Sequence, residues 1–286
     1  MSRPLEIVLH VPKCAGSTLE GHLHAHLGPP VFWSAPKRTR SLPLELFGRK
    51  YRATLPAAPD TIRAVSGHYI GRSVETLFPG RQMIRSVLLR EPKSLVLSWY
   101  NFRMMRYAAQ GMAPYPFGLH LRCLAPDPLS HFLLSHWLEI PWLRLARMTA
   151  AEKLVRLEEA LGQFDFVGDI SECDQLVAAL SKRLGLPEQA AKENSGHAWA
   201  GLTSWQPLRL DTLAPDDREA LTARTHLDAC LYARVVEGKD APLRDASSFF
   251  DSEVRRPLAE LKRRRLRGLM PRTNAPAPWP DPERPT

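Results

Sequence analysis

Short apolar runs alternate with amphipathic segments along most of the 286-residue chain. Four runs have the length and composition of buried strands, at residues 5–11, 62–66, 83–89 and 164–168. Helical periodicity is found at residues 18–27, 93–108, 150–161, 172–184 and 216–236. Strands that alternate with helices are typical of βαβ units. The pattern therefore predicts an α/β fold, a single domain in which helices flank a central, mostly parallel sheet.

Two stretches interrupt this alternation, and the C-terminal part differs from both. Residues 28–61 are rich in Pro and Arg and show little periodicity, while residues 101–148 contain many aromatic and histidine side chains. We predict a helical insertion at about 101–148, with an irregular course after residue 110. The predicted organisation is a domain at 1–252, a basic amphipathic helix at 253–270 and a proline-rich disordered tail at 271–286.

The positive charge of the chain is concentrated near its C-terminus. The formal net charge is +9, and residues 255–272 contain eight Arg or Lys and one Glu, so this segment alone carries +7. Because the rest of the chain is nearly balanced, we expect no nucleic acid partner. The basic segment can lie on an anionic membrane surface or dock on the domain with its charged face in water, and the sequence leaves both open.

Cysteine spacing and hydropathy indicate the compartment. The chain has four cysteines and no CxxC pair, so neither a zinc site nor a disulfide framework is expected. No stretch of about 18 uninterrupted apolar residues occurs, and no leader pattern opens the sequence. We expect a cytoplasmic protein, and the basic segment leaves a peripheral membrane position as the alternative.

The segment HVPKCAGST at residues 10–18 joins the first predicted strand to the first predicted helix. A turn of small residues at this place lets backbone N–H groups and the positive end of a helix bind an anion. Lys13 adds a positive charge, and Ser17 and Thr18 add hydroxyl donors. The lysine precedes the glycine, whereas in a P-loop of the GxxxxGK[ST] type it follows the glycine. An ordinary turn with an exposed lysine is the alternative.

A second polar motif, LLREPKSLVLSWY at residues 88–100, follows the third predicted strand. It puts Arg90 at the end of that strand and Ser98 two turns into the next helix. A guanidinium can bind an anion with two hydrogen bonds while a serine hydroxyl donates a third. Arg90 could instead pair with Glu91 or cap a helix, and Ser98 could be an ordinary surface residue.

Together the two motifs resemble the PAPS-dependent sulfotransferases, in particular their carbohydrate-type branch with its P-loop-like fold. PAPS is 3′-phosphoadenosine 5′-phosphosulfate. The resemblance implies that the first motif holds the 5′-phosphosulfate, at Lys13, Cys14, Ala15, Gly16, Ser17 and Thr18. It also implies that Arg90 and Ser98 hold the 3′-phosphate that distinguishes PAPS from ordinary nucleotides. Cys14-Ala15 departs from the more common Thr-Gly of the family, a change that keeps both residues small.

Two later segments extend the resemblance, which covers about residues 5–236. The sequence FVG at 166–168 is similar to a strand of the family, and DACLY at 228–232 is similar to its late Asp-x-x-Leu-Tyr helix. The implied reaction transfers a sulfuryl group from PAPS to a hydroxyl or amine of a carbohydrate, glycolipid or small-molecule acceptor. The product nucleotide is PAP (3′-phosphoadenosine 5′-phosphate), and no metal is required because a sulfuryl group carries less negative charge than a phosphoryl group.

Aromatic and histidine side chains in the predicted insertion are candidates for binding the acceptor, since rings with polar tips suit sugars. Packing into the core is the alternative, and for most of them it is the expected outcome. These side chains are Tyr107, Tyr115, Phe117, His120, His131, His136, Trp137 and Trp142.

His68 is the candidate general base. It follows the second predicted strand, and ligands of open α/β sheets bind beyond the ends of strands, where a histidine suits proton transfer. The relatives that use a histidine base carry a similar Gly-His ahead of the Arg…Ser motif. Lys13 is the second catalytic candidate, which would stabilise charge on the bridging oxygen of the leaving nucleotide. A partly buried structural histidine is the alternative for His68, and Glu20 is the rival base.

Two other functions stay open. A P-loop-type kinase or nucleotide-binding protein would need an acidic Mg²⁺ ligand at a strand end, and only Asp169 is placed to supply one. A non-catalytic membrane adaptor on the same fold would bind PAPS without turnover and use the basic segment as its anchor.

Overall fold

Five short strands form one sheet at the centre of the molecule. The computed structural model describes residues 3–29, 31–34, 58–188 and 206–239. Its strands are β1 Leu5–Leu9, β2 Phe32–Ser34, β3 Ala64–Gly67, β4 Met83–Leu89 and β5 Phe166–Asp169. They are all parallel, in the order β2-β3-β1-β4-β5. The predicted α/β fold with a parallel sheet is therefore confirmed.

The order of the strands leaves a crevice between β1 and β4. After β1 the chain continues to β2 and β3 on one side of the sheet, and after β4 it continues to β5 on the other side. Where connections leave neighbouring strands in opposite directions, their C-terminal ends border a gap in which open α/β sheets bind ligands. Residues 10–15 and 90–91 follow these two strands, and β3 ends with Gly67 paired to Leu9, so residue 68 lies beside them.

Helices cover the sheet and extend beyond it. In the described residues they are α1 Gly16–Leu27, α2 Pro92–Ala109, α3 Phe117–Cys123, α4 Pro128–Phe132, α5 Trp142–Leu145, α6 Ala150–Leu161, α7 Cys173–Leu184, α8 Pro215–Arg224 and α9 His226–Val235. Helix α1 packs against α7, and helix α9 packs against α2, α4 and α6. All five residues of β1 are buried, as expected for a central strand with both faces covered.

Most predicted elements agree with the structure within two residues, and β2 is the strand that the sequence does not predict. It contains only two buried apolar residues, Phe32 and Trp33, which are too few for a recognisable pattern. Pairing with Ala64 and Val65 of β3 makes it a strand. β2 lies at one edge of the described sheet.

The single helix predicted at 216–236 is wrong, because the structure has two helices there. The hydroxyl of Thr225, between α8 and α9, donates to the carbonyl of Leu221 at 2.9 Å. α9 then begins with its own cap, since Asp127 Oδ1 accepts the N–H of Leu227 at 2.8 Å. The capping carboxylate lies 100 positions away in the chain, so local periodicity cannot reveal the break.

The predicted insertion at 101–148 is helical, but the irregular course predicted after residue 110 is wrong. Residues 101–109 continue α2, and the later part forms α3, α4, a π-helical turn at Leu133–Trp137 and α5. Asp127 and Glu139 have left-handed backbones with φ of 49° and 54°. These residues turn the chain between helices that are too short to show periodicity.

The basic segment at 253–270 and the tail at 271–286 lie outside the described residues, as does the end of the predicted domain at 252. Among the helices that are described, none has the length and apolar character needed to cross a bilayer.

Candidate functional site

The turn between β1 and α1 contains two residues with left-handed backbones. Lys13 has a φ of 67° and Ala15 a φ of 58°, a conformation that costs a non-glycine residue about 1–2 kcal/mol. Alternation of left-handed and right-handed residues turns successive N–H groups toward one side and forms an anion-binding concavity. Within the described residues the N-cap residue Ala15 makes no side-chain cap to α1, which leaves N–H groups at the helix start to bind an anion.

The start of α1 has no room for a side chain at residue 16, which is a glycine. A Cβ built on it would lie 1.9 Å from Cδ2 of His10, closer than any real contact. The ring of His10 is itself 4% exposed and occupies the space that a side chain would need. The glycine of the first motif therefore lets a buried histidine pack directly against the backbone of the turn.

Lys13 is a desolvated cation. Burial lowers the pKa of its ammonium, and the nearby charge of Arg90 lowers it further. Its Nζ lies 4.0 Å from the centroid of the Phe102 ring, in a cation–π contact. Lys13 is therefore half-buried and not the exposed lysine of the alternative interpretation, and an anion at this place would relieve the repulsion between two close cations.

Arg90 connects the two motifs. One of its terminal nitrogens donates to the carbonyl of Lys13 at 3.3 Å. Its Nε is buried and has no hydrogen-bond partner among the described residues. A buried donor without an acceptor destabilises the folded state. Glu91 does not satisfy it, because the Glu91 carboxylate caps α2 by accepting the N–H groups of Lys93 and Ser94 at 3.1 and 2.7 Å.

The remaining predicted cofactor residues lie around this pair of cations. Ser17 and Thr18 are in the first turn of α1 and Cys14 is buried beneath the turn. Burial raises the pKa of the Cys14 thiol, which keeps it neutral. Ser98 lies on α2 one turn before Phe102, whose ring contacts Lys13. Ser98 therefore shares a face of α2 with the residue that contacts the first motif.

His68 follows β3 and lies against the first motif. Its Nδ1 is 2.8 Å from the carbonyl oxygen of His10. A carbonyl can only accept, so Nδ1 carries the proton, and in the neutral ring the basic lone pair is on Nε2. The rings of His68 and His10 lie in contact, with centroids 3.7 Å apart and planes tilted by 38°. The predicted base is therefore held in one tautomer at the same edge of the sheet as Lys13.

Glu20 of α1 lies behind the two histidines. Its Oε2 is 3.1 Å from Nδ1 of His10, and its Oε1 accepts the hydroxyl of Ser66 at 3.0 Å. Burial favours the neutral acid, but the hydrogen bonds from His10 and Ser66 and the nearby charge of His68 outweigh it and lower the pKa of Glu20. One carboxylate oxygen therefore accepts from Ser66 and the other lies at ion-pair distance from His10, an arrangement that suits a support for a base better than the base itself.

Asp169 and Asp228, which end β5 and begin α9, have structural contacts. Asp169 accepts the hydroxyl of Tyr232 at 2.6 Å and the N–H of Ser171 at 2.8 Å. Asp228 is completely buried and accepts the N–H groups of Leu129 and Ser130 at the start of α4. The late DACLY segment thus joins α9 to α4 and to the end of β5.

The aromatic candidates of the insertion are divided between the core and the site. Phe117, His120 and Trp137 are buried in the core, as expected for most of them. The ring of His136 is 5.2 Å from that of Tyr69, the residue after His68.

Sequence reasoning missed the roles of His10 and Phe102. A polar residue directly after a buried strand is a usable signal for His10. Phe102 shows no signal beyond its position four residues after Ser98.

Searches against protein-family models and against curated proteins returned no match for this chain. Its function therefore has to be inferred from the chemistry of the site.

Proposed function

We propose that the chain is a PAPS-dependent sulfotransferase that acts on a hydroxyl or amine of a carbohydrate, glycolipid or small-molecule acceptor. The observation that carries the proposal is the Arg90 guanidinium, which lies against the Lys13 backbone and has a buried Nε. It gives one site two cations, a helix start and a donor without a partner among the described residues. Such a site favours a ligand with several anionic groups, and PAPS presents three.

The position of each residue indicates its role in binding or catalysis. The Arg90 guanidinium and the Ser98 hydroxyl suit the 3′-phosphate, and the turn from Lys13 to Thr18 suits the 5′-phosphosulfate. PAPS, when bound, supplies the sulfuryl group and the leaving nucleotide. On the acceptor side, Nε2 of His68 is the atom that takes the proton of the attacking hydroxyl or amine. The Lys13 ammonium counters the negative charge that develops on the departing oxygen.

A kinase is the less favoured alternative because of the contacts of Asp169. Its carboxylate accepts hydrogen bonds from Tyr232 and Ser171, whereas a Mg²⁺ ligand directs its oxygens to the metal and phosphates. The strand beside the first motif ends in Arg90, which suits an additional phosphate and repels a cation.

The decisive experiment compares nucleotides that differ by one phosphate. PAP and AMP differ only at the 3′ position, so a site built around Arg90 should be stabilised more by PAP. A ligand at about 100 times its Kd adds about 2.7 kcal/mol of stability, which a thermal shift detects. The variant Arg90→Lys, which keeps the charge but loses the planar fork, should lose most of the difference between PAP and AMP. Equal stabilisation by PAP and by ATP with Mg²⁺ would favour the kinase, and PAP binding without sulfuryl transfer to any acceptor would favour the adaptor.

A further inference from the structure

Behind the proposed base, four side chains from three elements form a continuous series of contacts. Ser66 contacts Glu20, Glu20 contacts His10, and His10 contacts His68. We propose that Glu20 and His10 are positioning residues that hold His68 in its basic tautomer and stabilise its protonated form. The catalytic meaning of this arrangement rests on the proposed function, but the arrangement itself can be tested without any turnover.

The backbone of His10 determines the tautomer of His68. Free histidine prefers the proton on Nε2, yet the 2.8 Å contact with the His10 carbonyl requires it on Nδ1. That carbonyl directly follows β1, the central strand of the sheet, so it is held firmly. The basic nitrogen of His68 is therefore selected by residue 10 and not by His68 alone.

The ring of His10 is held on three sides. Gly16 allows it to approach the turn, since a Cβ there would overlap it. The tilted ring of His68 lies against it with a centroid distance of 3.7 Å. Glu20 lies 3.1 Å from its Nδ1. A shift of this ring would therefore disturb the ring of His68, which lies against it, or the His10 carbonyl that binds His68 Nδ1.

Glu20 supplies the negative charge of the arrangement. Its lowered pKa keeps it ionised at neutral pH, and a carboxylate close to two imidazoles favours the protonated form of either ring. When His68 accepts a proton from the acceptor, the resulting positive charge forms next to this carboxylate. The rings of His10 and Tyr69 lie against His68, and Glu20 acts on it through its charge. An acid that orients and stabilises a histidine without itself taking the proton is a known arrangement in serine hydrolases.

The test is an NMR titration of the full-length chain with ¹⁵N-labelled histidine. In the wild type, the ring signals of His68 should report the Nδ1–H tautomer above the titration midpoint. The variant Glu20→Gln preserves the shape of the side chain and removes its charge. In this variant the titration midpoint of His68 should fall by at least about half a pH unit. The matched control is Glu75→Gln, which removes a partly buried carboxylate bound to Arg85 near the start of β4. It should lower the melting temperature and leave the His68 titration unchanged.

Two results would overturn the proposal. One is an Nε2–H tautomer for His68 in the folded wild type, a result that needs no variant to fold. The other is a folded Glu20→Gln protein in which His68 titrates as in the wild type. PAP binding is measured on the same samples. If the sulfotransferase proposal is wrong but the positioning proposal is right, PAP will not bind and the His68 titration will still respond to Glu20→Gln. If the enzyme turns over, Glu20→Gln should lower kcat by roughly tenfold or more and leave PAP affinity unchanged.

Discussion

Gly16→Ala should destabilise the protein even though alanine is the better helix former. The added Cβ would lie 1.9 Å from Cδ2 of His10, whereas real Cβ contacts are at least 3.0 Å. The ring would have to move by at least 1.1 Å, and Glu20 and His68 both hold it. Overpacking of this kind costs about 1–3 kcal/mol. Gly16 has no positive φ, so backbone strain does not contribute to the expected loss.

Urea unfolding followed by far-UV circular dichroism measures the change. Gly118→Ala in α3 is the matched control, because its Cβ would meet only the side-chain oxygen of Asp217 at 2.8 Å, which can move away. This control should be neutral or slightly stabilising. In a double-mutant cycle, Gly16→Ala should cost little when His10 is already alanine. If Gly16→Ala alone is as stable as the wild type, or if its cost persists without the His10 ring, the steric explanation is wrong.

Four further predictions address the turn, the base, a buried carboxylate and the basic segment. Ala15→Gly should stabilise the protein by about 0.5–1 kcal/mol, because relief of the left-handed backbone exceeds the entropy cost of glycine; unchanged urea midpoints would contradict it. His68→Ala should lower kcat by roughly 10²–10⁴ and leave the PAP thermal shift unchanged, whereas near-normal kcat in a folded variant would remove His68 from the mechanism. Burial and the charge of Asp127 raise the pKa of Asp228 to about 7. Between about pH 4 and 7 the folded state therefore binds more protons than the unfolded state. The free energy of unfolding should then fall as the pH rises through this range. Asp228→Asn should flatten that part of the pH profile of unfolding, and an equal slope would show that other groups cause it. Truncation after residue 251 should keep PAP binding but weaken sedimentation with anionic vesicles at low salt; a full-length chain that ignores such vesicles would exclude membrane binding by this segment.

Local pattern was sufficient to predict most of the fold because each element has a strong pattern of its own. β4 at Met83–Leu89 and α6 at Ala150–Leu161 have the predicted bounds. α6 even carries a complete capping box at Thr149 and Glu152. β2 and the break between α8 and α9 were not predictable, since pairing with β3 and a cap from Asp127 create them.

The candidate site was predictable where charge and position act together. Lys13, Arg90 and His68 each follow a strand, and strands of a parallel sheet end at one edge, so their proximity follows from topology. The contacts behind them were not predictable. Glu20 was considered as a base, and only the structure shows one of its oxygens accepting from Ser66 and the other beside the ring of His10.

The central position of β1 has a consequence for biosynthesis. This strand is made first, but its partners β3 and β4 begin about 60 and 80 residues later. Until they have left the ribosome, the apolar segment from Leu5 to Leu9 has both edges unpaired. Non-local parallel pairing is slow and exposes aggregation-prone strands. The nascent chain should therefore depend on chaperones early in synthesis. Polar substitutions in β1 should make the nascent chain more soluble at this stage, although they destabilise the folded sheet.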